Sequence, residues 1–418
     1  MTDPAATTET ALVTDYSASA GKSATAPASA PVDIAAHAMA TTQPGLLVPS
    51  RRNAARGWGI AGIIVVAILA VAVLVYLIAG LGPDAFALGG IMALVPLAIV
   101  FFGVRWIDRW EPEPRLAVIF AFLWGAAAAV IIALVVDYRV SNWVNSSNGP
   151  GPNGYDFFGA TVQSPIVEEG AKGLGVFLIF LVARRFFDSP VDGVVYAAWV
   201  AGGFAFTENI LYFGGQLLDV GGFDGSVFQI FLIRGIMSPF AHIMFTTCTG
   251  LAIGFAARRG YGVLGGFGFF LLGLVPAILL HSLWNAALYF VSDFYGYYAI
   301  VQFPLFLIAV TIVILLRRQE VRVTHDRLAE YAAAGWFNPS EVPALSTRQG
   351  RRVAMDWANR NGKGRAMKLY IQDATKLAFA RQRIITGRDK VGAHADEAAL
   401  LGAIVVSRIA LVGTAPAH

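Results

Sequence analysis

"SPIVEEGAKGLGVFLIF", residues 164–180, is apolar enough over most of its length to lie inside a lipid bilayer, yet it carries two adjacent glutamates, Glu168 and Glu169, with Lys172 one turn on. An ionised carboxylate at mid-bilayer costs about 3 kcal/mol on insertion scales. Two in succession need a chemical reason, and the rest of the chain has to supply it.

Composition sets the class. The 418 residues are 56% hydrophobic and only 14% charged, with a mean hydropathy of +0.62. Those values exclude an ordinary soluble domain and point to a polytopic helical membrane protein. The single cysteine, Cys248, lies in an apolar stretch, allows no intrachain disulfide and reads as packing. A net charge of +4 gives no reason to expect nucleic acid as a partner.

Apolar stretches close to the roughly 20 residues that span a bilayer recur at about 58–81, 84–104, 115–136, 157–183, 191–215, 228–257, 263–290 and 298–316. Arginines cluster before the first stretch (Arg51, Arg52, Arg56) and in every second connection after it: Arg105, Arg109 and Arg115, then Arg184 and Arg185, then Arg258 and Arg259, then Arg317 and Arg318. The other connections hold one arginine, Arg139. This alternation follows the positive-inside rule. The expected fold is an all-α bundle of about eight transmembrane helices in the plasma membrane, with both termini cytoplasmic. Residues 1–50, rich in Ala, Thr, Ser and Pro, are expected to be a disordered leader to a transmembrane domain over 51–318. Residues 319–418 read as a cytoplasmic helical tail whose basic residues outnumber its acidic ones. It either lies against anionic lipid headgroups or is a solvated appendage.

The ionisable side chains within the spans are all but confined to four consecutive ones, two of which add an asparagine: Glu168, Glu169 and Lys172; Glu208 and Asn209; Arg234 and His242; His281 and Asn285. At 1.5 Å per residue, Glu168, Glu208 and His281 lie roughly 16, 10 and 14 Å from the outer ends of their helices, and His242 roughly 21 Å. Two His and three Glu in a similar layer could meet in one cavity. Each has a bland alternative. Glu168 and Lys172, spaced i,i+4, form a favourable intrahelical pair. Arg234 serves as a counter-ion to Glu208, and the asparagines as interhelical glue. The pairing of Glu168 with Lys172 leaves Glu169 to face the cavity, although the two can exchange roles.

Three carboxylates against Lys172 and Arg234 leave about one net negative charge beside two neutral imidazoles, a setting for a divalent cation, and His plus carboxylate suits Zn2+. Zinc would lower the pKa of bound water and a nearby Glu would take the proton, which is peptide hydrolysis without a covalent intermediate. No HExxH or GxSxG motif is present. Pro165, Pro239 and Pro276 precede these groups by about a turn and could kink the helices around a wet cavity.

In order and spacing, "EEGAK" at 168–172, "FAFTEN" at 204–209, "PFAH" at 239–242 with Arg234 upstream, and "HSLWN" at 281–285 resemble the PrsW family of intramembrane metalloproteases. "DRWEPEP" at 108–114 and "DG" at 192–193 support the resemblance, which covers about residues 85–315. The family is grouped with the type II CAAX prenyl endopeptidases. The resemblance implies cleavage of membrane-anchored protein substrates, anti-sigma factors being the best-known class. Carried over, Glu168 and Glu169 supply the acidic pair. Glu208, His242 and His281 complete the metal or water site. Asn209 and Asn285 stabilise the oxyanion, while Lys172 and Arg234 balance charge. A transporter or proton relay built on the same Glu/His/Arg cluster is the competing reading, and a scaffold that uses the cluster only for helix association is a third.

Overall fold

The computed structural model describes residues 51–146, 155–184, 186–387 and 390–412; the leader expected over 1–50 and Arg185 lie outside them. The described residues are helical with no strand among them, and they divide into two compact units, 51–316 and 317–412.

In the first unit, α1 (Arg51–Ile107) is broken at Gly82, whose φ of 75° only glycine adopts freely. Gly62 packs on Phe120, while Val100 packs on Gly202, whose neighbour Gly203 abuts the Phe122 carbonyl. A straight helix would hold Gly62 and Val100 about 57 Å apart, so the chain reverses at Gly82, within the "GLGPD" turn between the first two apolar stretches. Then come α2 (Arg115–Val144), α3 (Ser164–Val182), α4 (Pro190–Val220), α5 (Gly225–Arg258), α6 (Val263–Phe290) and α7 (Phe294–Ala333).

Among the described residues, six helices are long and apolar enough to cross a membrane. The first, Gly59–Ile107, contains both apolar stretches that flank Gly82. α3 is outside the six because Glu168, Glu169 and Lys172 interrupt its apolar run. α4 is the central helix, with 78% of its apolar window buried, whereas the windows of α1, α6 and α7 are 17%, 22% and 6% buried. Their outward Phe102, Leu264, Phe290 and Ile300 form the kind of surface that only lipid covers.

α4 starts on a capping box: Ser189 Oγ accepts from the Val191 and Asp192 amides, and Asp192 Oδ2 accepts from the Ser189 amide at 2.7 Å. It then touches its neighbours backbone to backbone. A Cβ on Gly193 would stand 2.0 Å from the Gly250 carbonyl oxygen of α5, and one on Gly125 of α2 would stand 1.8 Å from the Val200 carbonyl oxygen. Small residues permit this approach in membrane bundles.

Three π-helical turns interrupt the helices around the polar layer: Trp124–Ala129 in α2, Gly159–Gln163 just before α3, and Phe231–Met237 in α5. Each holds an extra residue and rotates the helix beyond it. α5 breaks again at Ser238–Phe240, where Pro239 sits, and resumes at Ala241.

The second unit consists of the end of α7 with α8 (Glu341–Ser346), α9 (Arg348–Arg360), α10 (Gly364–Ile385) and α11 (Lys390–Val412). Leu328, Tyr331, Leu345, Tyr370, Leu377 and Ile404 form its core. The Arg408 guanidinium bridges Glu341 at 3.0 Å and the Tyr370 hydroxyl at 2.9 Å.

Candidate active site and metal centre

α3 carries the acidic pair. Lys172 is fully buried and lies 2.6 Å from Glu169 Oε1 and 3.4 Å from Glu168 Oε2. The i,i+3 partner is therefore the tighter one, which reverses the expectation that Lys172 takes Glu168 and leaves Glu169 to the cavity. Glu169 is 0% exposed and saturated: besides Lys172 it accepts from Thr246 Oγ1 at 2.7 Å and contacts His281 Nδ1 at 3.0 Å. Glu168 keeps slight exposure. Its Oε1 accepts from Ser164 at 2.6 Å, and its Oε2 stands 3.9 Å from His281 Nε2.

These contacts assign protons. A carboxylate accepts only, so His281 donates from Nδ1 to Glu169, and in the neutral imidazole this leaves Nε2 bare toward Glu168. Lys172 Nζ donates to His242 Nδ1 at 3.2 Å, so the His242 proton sits on Nε2 and goes to Glu208 Oε2 at 2.8 Å. The two imidazoles stand edge to face with centroids 5.1 Å apart; Phe245 stacks on His281 at 5.0 Å, and the Phe204 ring lies 4.2 Å beneath Lys172 Nζ.

Glu208 Oε2 is also bound by Arg234 Nη2 at 2.6 Å, while Arg234 Nε donates to Asn209 Oδ1 at 3.2 Å and its guanidinium lies 3.8 Å over the Tyr212 ring. The bundle thus brings together Glu168, Glu169, Lys172, Glu208, Asn209, Arg234, His242 and His281. Asn285 is turned elsewhere. Its Nδ2 donates one of its two hydrogens to the Ala160 carbonyl at 2.7 Å, inside the π turn ahead of α3.

The expected metal set is Glu208, His242 and His281; the group close enough to share an ion holds His242 and His281 with Glu168. Glu168, His242 and His281 each offer one atom within 4.8 Å of the others. Glu208 is outside this group, and its Oε2 is held by Arg234 and His242. Glu168 Oε2 and His281 Nε2 offer lone pairs at once, and His242 does so on giving up its contact with Lys172. A Glu/His/His set of this kind matches the donors that hold zinc, and the Glu169–His281 bond is the carboxylate–imidazole support seen behind such ligands.

Ser164, Phe204, Phe245 and Thr246 surround the site without having been singled out from the sequence. Two of them had a positional signal: Ser164 is four residues before Glu168, and Thr246 is four after His242, each on its partner's helix face. Trp124 braces α3 from α2, donating to the Ala171 carbonyl at 2.9 Å across the gap left by Gly175. Thr207, beside Glu208, caps the freed Ala126 carbonyl of the first π turn at 2.8 Å. Cys248 is partly buried with its thiol toward the Met244 carbonyl, in keeping with packing.

The "DRWEPEP" and "DG" stretches meet at the far end of α4. Asp108 Oδ1 accepts the Glu113 amide at 3.0 Å, and the Tyr196 hydroxyl binds Glu113 Oε2. Burial and the nearby Asp192 push the Glu113 carboxyl well above its usual range, and burial lifts Asp108 to about 6 against the Glu113 amide and Arg105. Tyr196 is some 12 residues, about 18 Å, along α4 from Glu208, so this cluster ties α2 to α4 and does not line the site.

Residues 113–311 match the family described as PrsW family intramembrane metalloprotease. The chain is 30% identical over 195 residues to Protease PrsW of Clostridioides difficile (strain 630), covering 47% of this chain and 76% of that one. It is 29% identical over 211 residues to Protease PrsW of Geobacillus kaustophilus (strain HTA426), covering 46% and 84%. No solved structure matches the chain significantly. The order of motifs along the bundle and these two similarities agree: the chain belongs to the PrsW family of intramembrane metalloproteases.

Proposed function

We propose that the chain hydrolyses a peptide bond of a membrane-anchored protein at the Glu168–His242–His281 cluster. The observation that carries the reading is the bond from His281 Nδ1 to Glu169, which aims a bare Nε2 at Glu168 across 3.9 Å. That gap is too long for a direct hydrogen bond and leaves both atoms able to contact one shared third atom. Glu168, His242 and His281 would hold the metal, proposed as Zn2+; when bound it would supply Lewis-acid polarisation of water and of the scissile carbonyl. Glu168 is also the carboxylate open to take a proton, and Ser164 orients it. Glu169 fixes the His281 tautomer, and Lys172 bridges Glu169 at 2.6 Å. Arg234 orients Glu208, which in turn orients His242. Asn209 lies beside the Arg234–Glu208 pair, and Asn285 maintains the π turn that sets the rotation of α3.

The arginine pattern supports eight crossings of the plasma membrane with both ends on the cytoplasmic side, the catalytic unit over 51–318 and a cytoplasmic tail over 319–418. An anti-sigma-factor-like protein with a single membrane anchor is the proposed substrate class. A second reading has its own observation: both ring nitrogens of His242 are engaged by Lys172 and Glu208, which favours water activation by Glu168 and His281 without metal.

Metal content of the detergent-purified protein separates the two. Near-stoichiometric zinc in the wild type, lost in the His242→Ala/His281→Ala double variant, is the expected result. A metal-free wild type that cleaves a membrane-anchored substrate establishes the second reading. Absence of both metal and cleavage, with ion flux in proteoliposomes, overturns the proposal in favour of a transporter.

A further inference from the structure

Hydrolysis of a peptide bond calls for a donor to the carbonyl oxygen, which takes on charge as water attacks the carbonyl carbon. Most donors around the cluster are already engaged. Ser164 donates to Glu168 at 2.6 Å and Thr246 to Glu169 at 2.7 Å. Arg234 uses Nη2 on Glu208 and Nε on Asn209. Lys172 is fully buried against Glu169, Glu168 and His242. One amide hydrogen of Asn285 goes to the Ala160 carbonyl, and the Tyr289 hydroxyl goes to the Asp156 carbonyl at 3.1 Å.

Tyr212 is placed differently. It follows Glu208 by four residues, on the same face of α4. The guanidinium of Arg234, which binds Glu208, lies 3.8 Å over its ring. The residue is 46% exposed, and its hydroxyl makes no hydrogen bond to the described residues. The charges that act on the phenol are those of Glu208, Arg234 and Glu168, carried by α4, α5 and α3. The side chain therefore belongs to the polar cluster and not to the lipid-facing surface. Stacking under a guanidinium holds the ring in one orientation. A phenol ordinarily has a pKa of about 10, so it keeps its proton at neutral pH and can donate it. Arg234 thus serves two neighbours, binding Glu208 behind His242 and clamping the Tyr212 ring beside it.

We propose that Tyr212 is a catalytic residue whose phenol O–H donates to the carbonyl oxygen of the scissile bond. The inference rests on the reading of the cluster as a peptide hydrolase. In the step it serves, the water oxygen bonds to the carbonyl carbon, one water proton passes to Glu168, and the C=O π pair moves onto the oxygen that Tyr212 binds. When that pair returns, the C–N bond breaks and Glu168 gives its proton to the leaving nitrogen. Tyr212 keeps its own proton throughout. The same oxygen gains charge with or without a metal, so the role of Tyr212 holds in both readings of the site.

A tyrosine that only props up Arg234 needs its ring and not its hydroxyl, and two variants separate these cases. Tyr212→Phe keeps the ring under Arg234 and deletes one oxygen; Tyr212→Leu deletes both. Turnover is followed in the purified full-length chain on two probes, with Glu168→Gln as the blank. One probe is fluorescein-labelled casein in detergent. The other is a reporter protein with a single membrane anchor and a Gly/Ser-rich linker beside it, reconstituted with the enzyme in liposomes. Tyr212→Phe is expected to lose about 10² to 10³-fold in kcat, the effect of removing one oxyanion donor. KM, zinc content and melting temperature should stay near wild type, and Tyr212→Leu should lose at least as much turnover. Wild-type kcat in Tyr212→Phe overturns the proposal, and a loss confined to Tyr212→Leu assigns the ring to Arg234 alone. A loss in Tyr212→Phe accompanied by a fall in zinc content or melting temperature marks a structural role and overturns it as well. A wild type no faster than the Glu168→Gln blank on both probes overturns the hydrolase reading itself, and the proposal with it, so the two failures are told apart.

Discussion

His281 Nδ1 lies 3.0 Å from Glu169 Oε1, and through that bond a fully buried carboxylate decides which nitrogen of His281 faces Glu168. The peculiarity of α3, two glutamates in succession, thereby resolves into two different jobs. About 100° separates neighbouring residues on a helix, so one carboxylate points into the protein toward Lys172 and Thr246 while the other faces the open side of the site.

The two glutamates are expected to fail differently. Glu168→Gln should remove the proton acceptor together with one of the three proposed metal donors, a loss of at least about 10² to 10⁴-fold in cleavage, with little change in the thermal stability of the metal-free protein. Glu169→Gln should lower cleavage and also strip the buried Lys172 of its tighter partner, a cost of about 3–5 kcal/mol. Adding Lys172→Met to Glu169→Gln should restore much of the melting temperature in detergent without restoring cleavage. Full activity in Glu169→Gln would refute its role behind His281.

Arg234 and Glu208 should behave as one unit toward His242. Removing a group that orients a ligand typically costs about 10–100-fold in metal affinity or activity. Arg234→Gln and Glu208→Gln are each expected to fall in that range, and the double variant to lose little more than the worse single one. Additive losses in a double-mutant cycle on zinc affinity would show that Arg234 acts independently of Glu208, for instance through Tyr212.

Asp108 gives a pH dependence with a definite sign. Its carboxyl is held at about 6 in the fold against an ordinary 3.8, because burial disfavours the charge. Below the ordinary value both states are protonated and the group is neutral to stability. Between the two values only the unfolded chain is ionised, so stability falls as pH rises, and above about 6 the penalty is constant. Asp108→Asn keeps an acceptor for the Glu113 amide and removes the ionisation. It should raise the melting temperature relative to wild type at pH 8 and leave it unchanged near pH 3, below the ordinary value. An equal shift at both pH values would show that the charge is not the cause.

Element by element, legibility followed the strength of the physical constraint. The bilayer makes hydrophobic length and charge conspicuous, so the all-helical class and the confinement of polar groups to four segments could be read from composition and position. Glu168, Glu169, Lys172, Glu208, His242 and His281 stood out because each is costly in an apolar helix. Their pairings did not. The assignment of Lys172 to Glu168 rested on i,i+4 spacing, but a lysine reaches i−3 and i−4 carboxylates equally well on a helix, and contacts from Thr246 and His281 on other helices fix Glu169 as the tighter partner. The oxyanion role of Asn285 came with the family resemblance, and nothing in "HSLWN" announces its bond to the Ala160 carbonyl, 125 residues earlier. Ser164 and Thr246 are short neutral side chains that carry no cost to betray them.

The "DG" at 192–193 yields the last prediction, because its glycine acts by absence. A Cβ on Gly193 would stand 2.0 Å from the Gly250 carbonyl oxygen, and one on Gly250 would stand 2.1 Å from the Gly193 carbonyl oxygen, so neither helix can yield by moving a flexible side chain. α4 carries Glu208 and α5 carries His242, which are bonded at 2.8 Å. Gly193→Ala must push the two helices apart at one end, at a cost of about 1–3 kcal/mol or more for overpacking, and the separation reaches the Glu208–His242 bond by leverage. The expected outcome is a lowered melting temperature together with a loss of cleavage, although the substitution lies about 22 Å along α4 from Glu208. Gly215→Ala, on the same helix with open space where its Cβ would go, serves as the control and should leave both unchanged. Normal stability and activity in Gly193→Ala would mean that the α4–α5 contact does not set the geometry of the site.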